Sequence, residues 1–277
     1  MIYRRISIDP IAGALGAEVS GVDLREPLDD ATFSELHDAW MAHLVLFFRD
    51  QDLTGEQHKT FASRFGTLQV HPFLPSRRAE GHPEIVVFES DAQRPYVAAG
   101  WHSDVTFLEQ PPSASILRGV EVPPWGGDTM FASMYAAYEA LSERMQRLLS
   151  ELEAVHDTSR TFSREGYPVA RKASVQDPPS AVHPVVRTHP ETGRKALFVN
   201  SAFTRKIEGM HGRESQALLD FLYGHLAAPE FQCRFRWQKN SMVMWDNRCT
   251  QHRAVADNLA ARRRLERVTI EGERPIC

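Results

Sequence analysis

Strand-like runs crowd the second half of this 277-residue chain and do not alternate regularly with helical ones. A parallel sheet needs a crossover, usually a helix, between successive strands, so that spacing argues against repeated βαβ units. No GxGxxG follows a strand-like run, which removes the dinucleotide-binding variant of that architecture. The strand candidates are residues 84–88, 115–120, 196–200, 231–237, 242–245 and 265–271, each rich in β-branched or aromatic side chains. The expected fold is mixed α+β, a double-stranded β-helix (jelly-roll) core with helices packed around it.

The first half supplies helices and a few more strands. Residues 5–8 and 17–24 read as short strands, and Asp29 and Asp30 as caps for a helix carrying Phe33, Leu36, Trp40 and Leu44 at helical spacing. The apolar run over residues 44–48 marks the change from that helix to a strand. Thr54 followed by Gln57 forms a capping box, and Gly66 is a stop, which predicts a helix over 55–65. Further helices are expected at 142–154 and 213–226. No repeat or low-complexity tract interrupts the chain, so residues 1–277 are read as one domain.

Charge and cysteine content narrow the partners. Thirty-two basic residues stand against 36 acidic ones, so no global field draws the chain to nucleic acid or an anionic membrane. Cys233, Cys249 and Cys277 are odd in number and make no CxxC pair, which disfavours a disulfide framework and a thiolate zinc site. The first residues lack an apolar segment of signal-peptide type, and no run approaches the ~18 apolar residues of a membrane span. A cytoplasmic protein acting on a small molecule is expected.

Trp101-His102-Ser103-Asp104 sets an imidazole and a carboxylate two residues apart, and on an extended strand such side chains share a face. A third ligand from a distant strand would complete a set of two nitrogens and one oxygen. That set leaves three octahedral positions free, as an iron must have to take both a bidentate co-substrate and O₂. Of the 12 histidines, His252 has the best context, between Trp245-Asp246-Asn247-Arg248 and the arginines at 262, 263, 264 and 267. Arginine's planar fork suits a dicarboxylate chelating the metal at its other end. On residue type alone the alternatives stay open: an isolated HxD arises by chance, the arginine run also reads as a solvated basic face, and Gly126-Gly127-Asp128-Thr129 reads as a turn after Pro123-Pro124.

Five blocks go further: WHSDVTF (101–107), GGDT (126–129), HPVVRTHP (183–190), ALFVN (196–200) and WDNRCTQHRA (245–254). In order and spacing they resemble the taurine dioxygenase family of Fe(II)/2-oxoglutarate oxygenases, over nearly the whole chain. The resemblance implies Fe(II) held by His102, Asp104 and His252, with 2-oxoglutarate and O₂ as co-substrates. It places the arginine for the far carboxylate of 2-oxoglutarate at Arg263, eleven residues after His252, and a supporting hydroxyl at Thr129. Arg262 and Arg264 then keep the surface reading. Arg267 and His71 match groups that meet the substrate's anion, and Phe162 and Phe203 match pocket aromatics, with core packing as their duller alternative.

The implied activity is hydroxylation of a small anionic organic substrate, taurine or a related alkylsulfonate, followed by release of sulfite. Alkyl sulfates and phenoxyalkanoates are the alternatives within the family. Ala98 stands where the taurine enzyme has an asparagine three residues ahead of the tryptophan, which removes a polar contact and turns attention to those alternatives. Residues 133–142 and 206–210 resemble the phenoxypropionate enzymes as much as the taurine ones. A homo-oligomer, dimer or tetramer, is expected. Two rival classes remain: a zinc hydrolase lacks its HExxH or cysteine cluster, and a non-catalytic jelly-roll binding protein has no use for both the triad and Arg263.

Overall fold

The computed structural model describes residues 2–95, 98–159 and 179–277. Its strands are β1 (Ser7–Pro10), β2 (Ala17–Ser20), β3 (Val45–Phe48), β4 (Arg78–Ala79), β5 (His82–Ser90), β6 (Ala114–Glu121), β7 (Thr129–Ser133) and β8 (Glu153–Asp157). They continue with β9 (Ser180–Pro184), β10 (Val186–Thr188), β11 (Lys195–Leu197), β12 (Thr204–Ile207), β13 (Gln232–Phe235), β14 (Met242–Asp246), β15 (Thr250–Ala254) and β16 (Arg263–Ile270). The helices are α1 (Asp30–His43), α2 (Gly55–Ser63), α3 (Met134–Glu139), α4 (Glu143–Ser150) and α5 (Gly212–Leu226).

Eight strands form the main sheet in the order β1-β2-β3-β14-β6-β16-β5-β4, and β13-β7-β15 form a smaller one. Among the described residues every pairing except β2 with β3 is antiparallel, as the lack of helical alternation predicted. Period-two alternation divides the main sheet's side chains between two cores. Val45, Phe47, Leu117, Val243, Trp245 and Leu265 enter a core shared with Phe131 of β7 and Phe235 of β13. Leu46, Phe48, Ile116, Met242, Met244, Val268 and Ile270 face the other way, onto Leu36 and Trp40 of α1 and Phe61 of α2. Burial on both faces explains why β3 and β14 read as unbroken apolar runs.

Local chemistry sets the helix ends. Asp29 accepts the Thr32 amide to start α1, and Thr54 and Gln57 make the expected capping box of α2. The helix expected at 142–154 is shorter: α4 stops at Ser150, and Glu153 onward joins β8, where pairing with β9 and β12 outweighs helical propensity. The strand expected at 196–200 ends at Leu197, and the next residues leave the sheet to pack beside the site. The three cysteines are free. No helix among the described residues is long and apolar enough to cross a membrane.

Candidate metal centre

His102 and His252 lie opposite one another in a short antiparallel bridge, each amide donating to the other's carbonyl at 3.1 and 2.8 Å. Their rings stand 4.2 Å apart between centroids. The HxD segment departs from the expected strand. Only His102 pairs in an extended bridge; Asp104 opens a turn, and Val105 takes a left-handed φ of 42°. The turn still brings the carboxylate round, because one ligand atom each from His102, Asp104 and His252 falls within 4.8 Å of the others.

Each group is prepared for a cation. Nδ1 of His102 donates to the Gly100 carbonyl at 2.8 Å, since a carbonyl can only accept, and this leaves the Nε2 lone pair for a metal. Burial, then the neighbouring His102, pushes His252 well below the ordinary histidine range, so it too is neutral and has a lone pair to offer a cation. Burial by itself raises the Asp104 carboxyl, but the Arg267 cation, helped by the hydrogen bond from Ser115, outweighs it and holds the group ionised. Ser115 donates to Oδ2 of Asp104 at 2.7 Å and Arg267 to Oδ1 at 2.5 Å.

A buried frame holds that carboxylate. Asn247 accepts from the Asp104 amide at 3.2 Å and from the Trp245 indole at 2.9 Å, and donates to Ser115 at 3.1 Å. Sequence reasoning missed Ser115 and Asn247 as working parts. The available signal for Ser115 was a polar residue in the inward phase of an otherwise apolar strand.

Arg263 and Arg267 both project from β16 toward the interior, in phase with Leu265, while Arg264 and Glu266 face the other side and bond to one another. Arg264 also pairs with Glu89, and Arg262 with Glu121, as their surface reading anticipated. Burial, opposed by Asp128, lowers Arg263 to about 10, so it remains a cation at neutral pH. Its Nε and Nη2 are buried without a partner among the described residues, a feature that calls for an incoming carboxylate. The GGDT turn makes room: Gly127 has φ +68°, and a Cβ there would stand 3.6 Å from the Arg263 Nε. Thr129 accepts from the Trp237 indole at 2.9 Å, which leaves its own hydroxyl proton to donate.

His71 is buried, and its Nδ1 accepts the Phe73 amide at 3.2 Å, so the ring proton sits on Nε2. Burial, then the charge of Arg267, lowers it to about 4. Phe203 stacks edge-on to His102 at 6.1 Å and to Phe107 at 5.1 Å. Phe162 lies outside the described residues.

A second cluster, His189, Asp246 and Cys249, also gathers ligand atoms within 4.8 Å. Its lone pairs are spent on protein. The His189 ring accepts two backbone amides through Nδ1 and donates through Nε2 to Asp246, whose oxygens also receive the Arg248 fork. Burial pushes the Cys249 thiol well up, which disfavours a thiolate ligand. This cluster braces the turn from β14 to β15.

Residues 7–269 match the taurine catabolism dioxygenase TauD, TfdA family. An alkylsulfatase of Acinetobacter baylyi is 37% identical over 98% of this chain and 86% of its own length. An alpha-ketoglutarate-dependent sulfate ester dioxygenase of Pseudomonas putida is 36% identical over 98% of this chain and 91% of its own. In three dimensions the chain is similar to the crystal structure of a taurine dioxygenase from Burkholderia xenovorans, with TM-score 0.86, 38% identity, and coverage of 99% of this chain and 93% of that one. A His-Asp-His cluster with buried arginines beside it, in a chain of this likeness, defines a dioxygenase, an oxidoreductase. The chain belongs to the TauD, TfdA family.

Proposed function

We propose that this dioxygenase uses Fe(II), 2-oxoglutarate and O₂ to hydroxylate a small organic anion, with alkyl sulfate esters preferred and alkylsulfonates, including taurine, next. The reading takes residues 1–277 as one jelly-roll domain, working in the cytoplasm as a homo-oligomer. The observation that carries it is the pair of buried arginines on one strand: Arg263, next to Gly127 and with donors that have no partner among the described residues, and Arg267 beside Asp104 and the neutral His71.

When bound, the iron supplies oxidation of a substrate C–H to C–OH, balanced by conversion of 2-oxoglutarate and O₂ to succinate and CO₂. His102, Asp104 and His252 hold the metal on one side and leave the other open. The Arg263 fork and the Thr129 hydroxyl grip the far carboxylate of 2-oxoglutarate. Arg267 and the Nε2–H of His71 hold the substrate's anion, and Phe203 and Phe107 wall off water from the carbon being oxidised. Ala98 offers no hydrogen bond to a substrate ammonium, which favours an apolar chain over taurine. Support for the sulfate ester also comes from the names of the Acinetobacter and Pseudomonas relatives. Hydroxylation at the carbon bearing a sulfate ester gives an unstable adduct that parts into aldehyde and sulfate.

Succinate formation is measured with Fe(II), 2-oxoglutarate and hexyl sulfate, hexanesulfonate, taurine or 2-phenoxypropionate in separate arms. The expected result is greatest stimulation by hexyl sulfate with release of sulfate and hexanal. Stimulation by phenoxypropionate alone overturns the substrate class. Failure of anaerobic Fe(II) plus 2-oxoglutarate to give a weak visible charge-transfer band overturns the co-substrate.

A further inference from the structure

Outside the metal site, a network of buried polar groups lies where the chain leaves β11. Asn200 is 1% exposed and is saturated in two directions. Its side-chain oxygen accepts the Phe203 amide at 2.9 Å, and its nitrogen donates to the Thr106 hydroxyl at 3.1 Å. Its own amide donates to Thr204 at 2.8 Å. Thr106 and Thr204 both share the Nδ1 of His156, at 2.9 and 3.3 Å.

Two further bonds join the same stretch to the ligand-bearing segments. Gln251, next to His252, donates to the Val199 carbonyl at 2.7 Å, and Ser201 donates to the Trp101 carbonyl at 3.3 Å. The amide of Asn200 thus ties the turn that carries Asp104 to the residue that carries the Phe203 ring.

Such a tie answers a local need. Val105, between Asp104 and Thr106, has φ 42°, a conformation a β-branched residue holds only when its surroundings over-determine it. Thr106 is the next residue, and its hydroxyl is anchored by Asn200 and His156. Val105, Phe107 and Phe203 then pack as one apolar cluster.

We propose that Asn200, acting through Thr106, is a positioning residue that registers the Phe203 wall of the pocket against the metal-binding turn and thereby sets where the substrate's reacting carbon stands. The inference rests on the proposed dioxygenase reading, and it assigns Asn200 no contact with substrate or metal. An amide is suited to this work because it offers an acceptor and a donor on a rigid plane, one for each segment.

The test compares Asn200→Ala, Thr106→Val and the conservative Thr106→Ser with the unaltered enzyme, using whichever of hexyl sulfate, hexanesulfonate or 2-phenoxypropionate stimulates succinate formation most. A misplaced carbon leaves 2-oxoglutarate turning over while hydroxylated product falls. Asn200→Ala and Thr106→Val are expected to lower product per succinate roughly tenfold or more, with the KM for 2-oxoglutarate unchanged. Thr106→Ser, which keeps the hydroxyl, restores the ratio, and the double variant is no worse than either single one. Product and succinate falling in parallel would overturn the proposal, because a role in folding alone reduces both. Amide hydrogen exchange gives an arm that needs no substrate. Asn200→Ala should loosen residues 101–108 and 200–204 together while β16 keeps its protection; loosening confined to 200–204 refutes the tie. If none of the three probes stimulates the unaltered enzyme, the substrate reading falls and the exchange result alone decides the role of Asn200.

Discussion

At the residue scale, the site depends on who holds each charge. Arg263 has buried donors with no partner among the described residues, so an incoming carboxylate gains from them what the folded chain has already lost. Arg263→Ala is expected to raise the KM for 2-oxoglutarate by an amount equivalent to ~2–5 kcal/mol while leaving metal affinity near normal. An unchanged KM would mean that another cation does this work. Asn247 lies outside the His102, Asp104 and His252 cluster, yet it holds the Asp104 amide, the Trp245 indole and Ser115 at once. Asn247→Ala is expected to weaken Mn(II) binding by roughly 10–100-fold, measured by metal titration of the apoprotein. The blocks quoted from the sequence made Arg263 legible. They did not make Ser115 legible, because its role exists only where β6 passes Asp104.

At the element scale, the GGDT turn and β16 work as a unit. Gly126 has φ +76°, and a Cβ there would come within 2.7 Å of the Asn258 Cβ, so the turn cannot accept a side chain without moving. Gly126→Ala is therefore expected to raise the KM for 2-oxoglutarate through displacement of Thr129 and the Arg263 pocket, with Mn(II) affinity retained. Equal loss of both would show that the damage spreads beyond this turn. Helix α2 offers a control remote from the chemistry. Thr54→Ala removes its capping box and is expected to cost ~1 kcal/mol of stability with turnover unchanged, read as a lower urea midpoint. The box was plain in the sequence because capping is local. The end of α4 was not, because β8 competes for the same residues from across the fold.

At the scale of the whole molecule, buried histidines tie stability to pH. Burial lowers His58 to about 3, with Arg118 adding to the effect, and burial also pushes His156 well below its ordinary value. Both stay neutral in the folded protein, while in the unfolded chain they take up a proton below about pH 6.5. The unfolded state then binds more protons, so stability is full above pH 6.5 and falls as pH drops toward the folded values, by roughly 1 kcal/mol per histidine per pH unit. Urea midpoints between pH 8 and 5 should trace this slope, and His58→Leu should make it shallower; a midpoint flat with pH refutes the account. The sequence by itself pointed to the antiparallel class and the helix caps, and to His102, Asp104, His252 and Arg263 as candidate site residues, because period, capping and block spacing are written along the chain. Only the tertiary structure decided that Asp104 reaches the site from a turn instead of a strand, that Arg267 bonds to it, and that Ser115, Asn247 and Asn200 bond to the segments around it. The bonds of Asp104 to Ser115 and Arg267 join residues 11 and 163 positions apart, and no local pattern encodes which polar side chain will meet which when the sheets close.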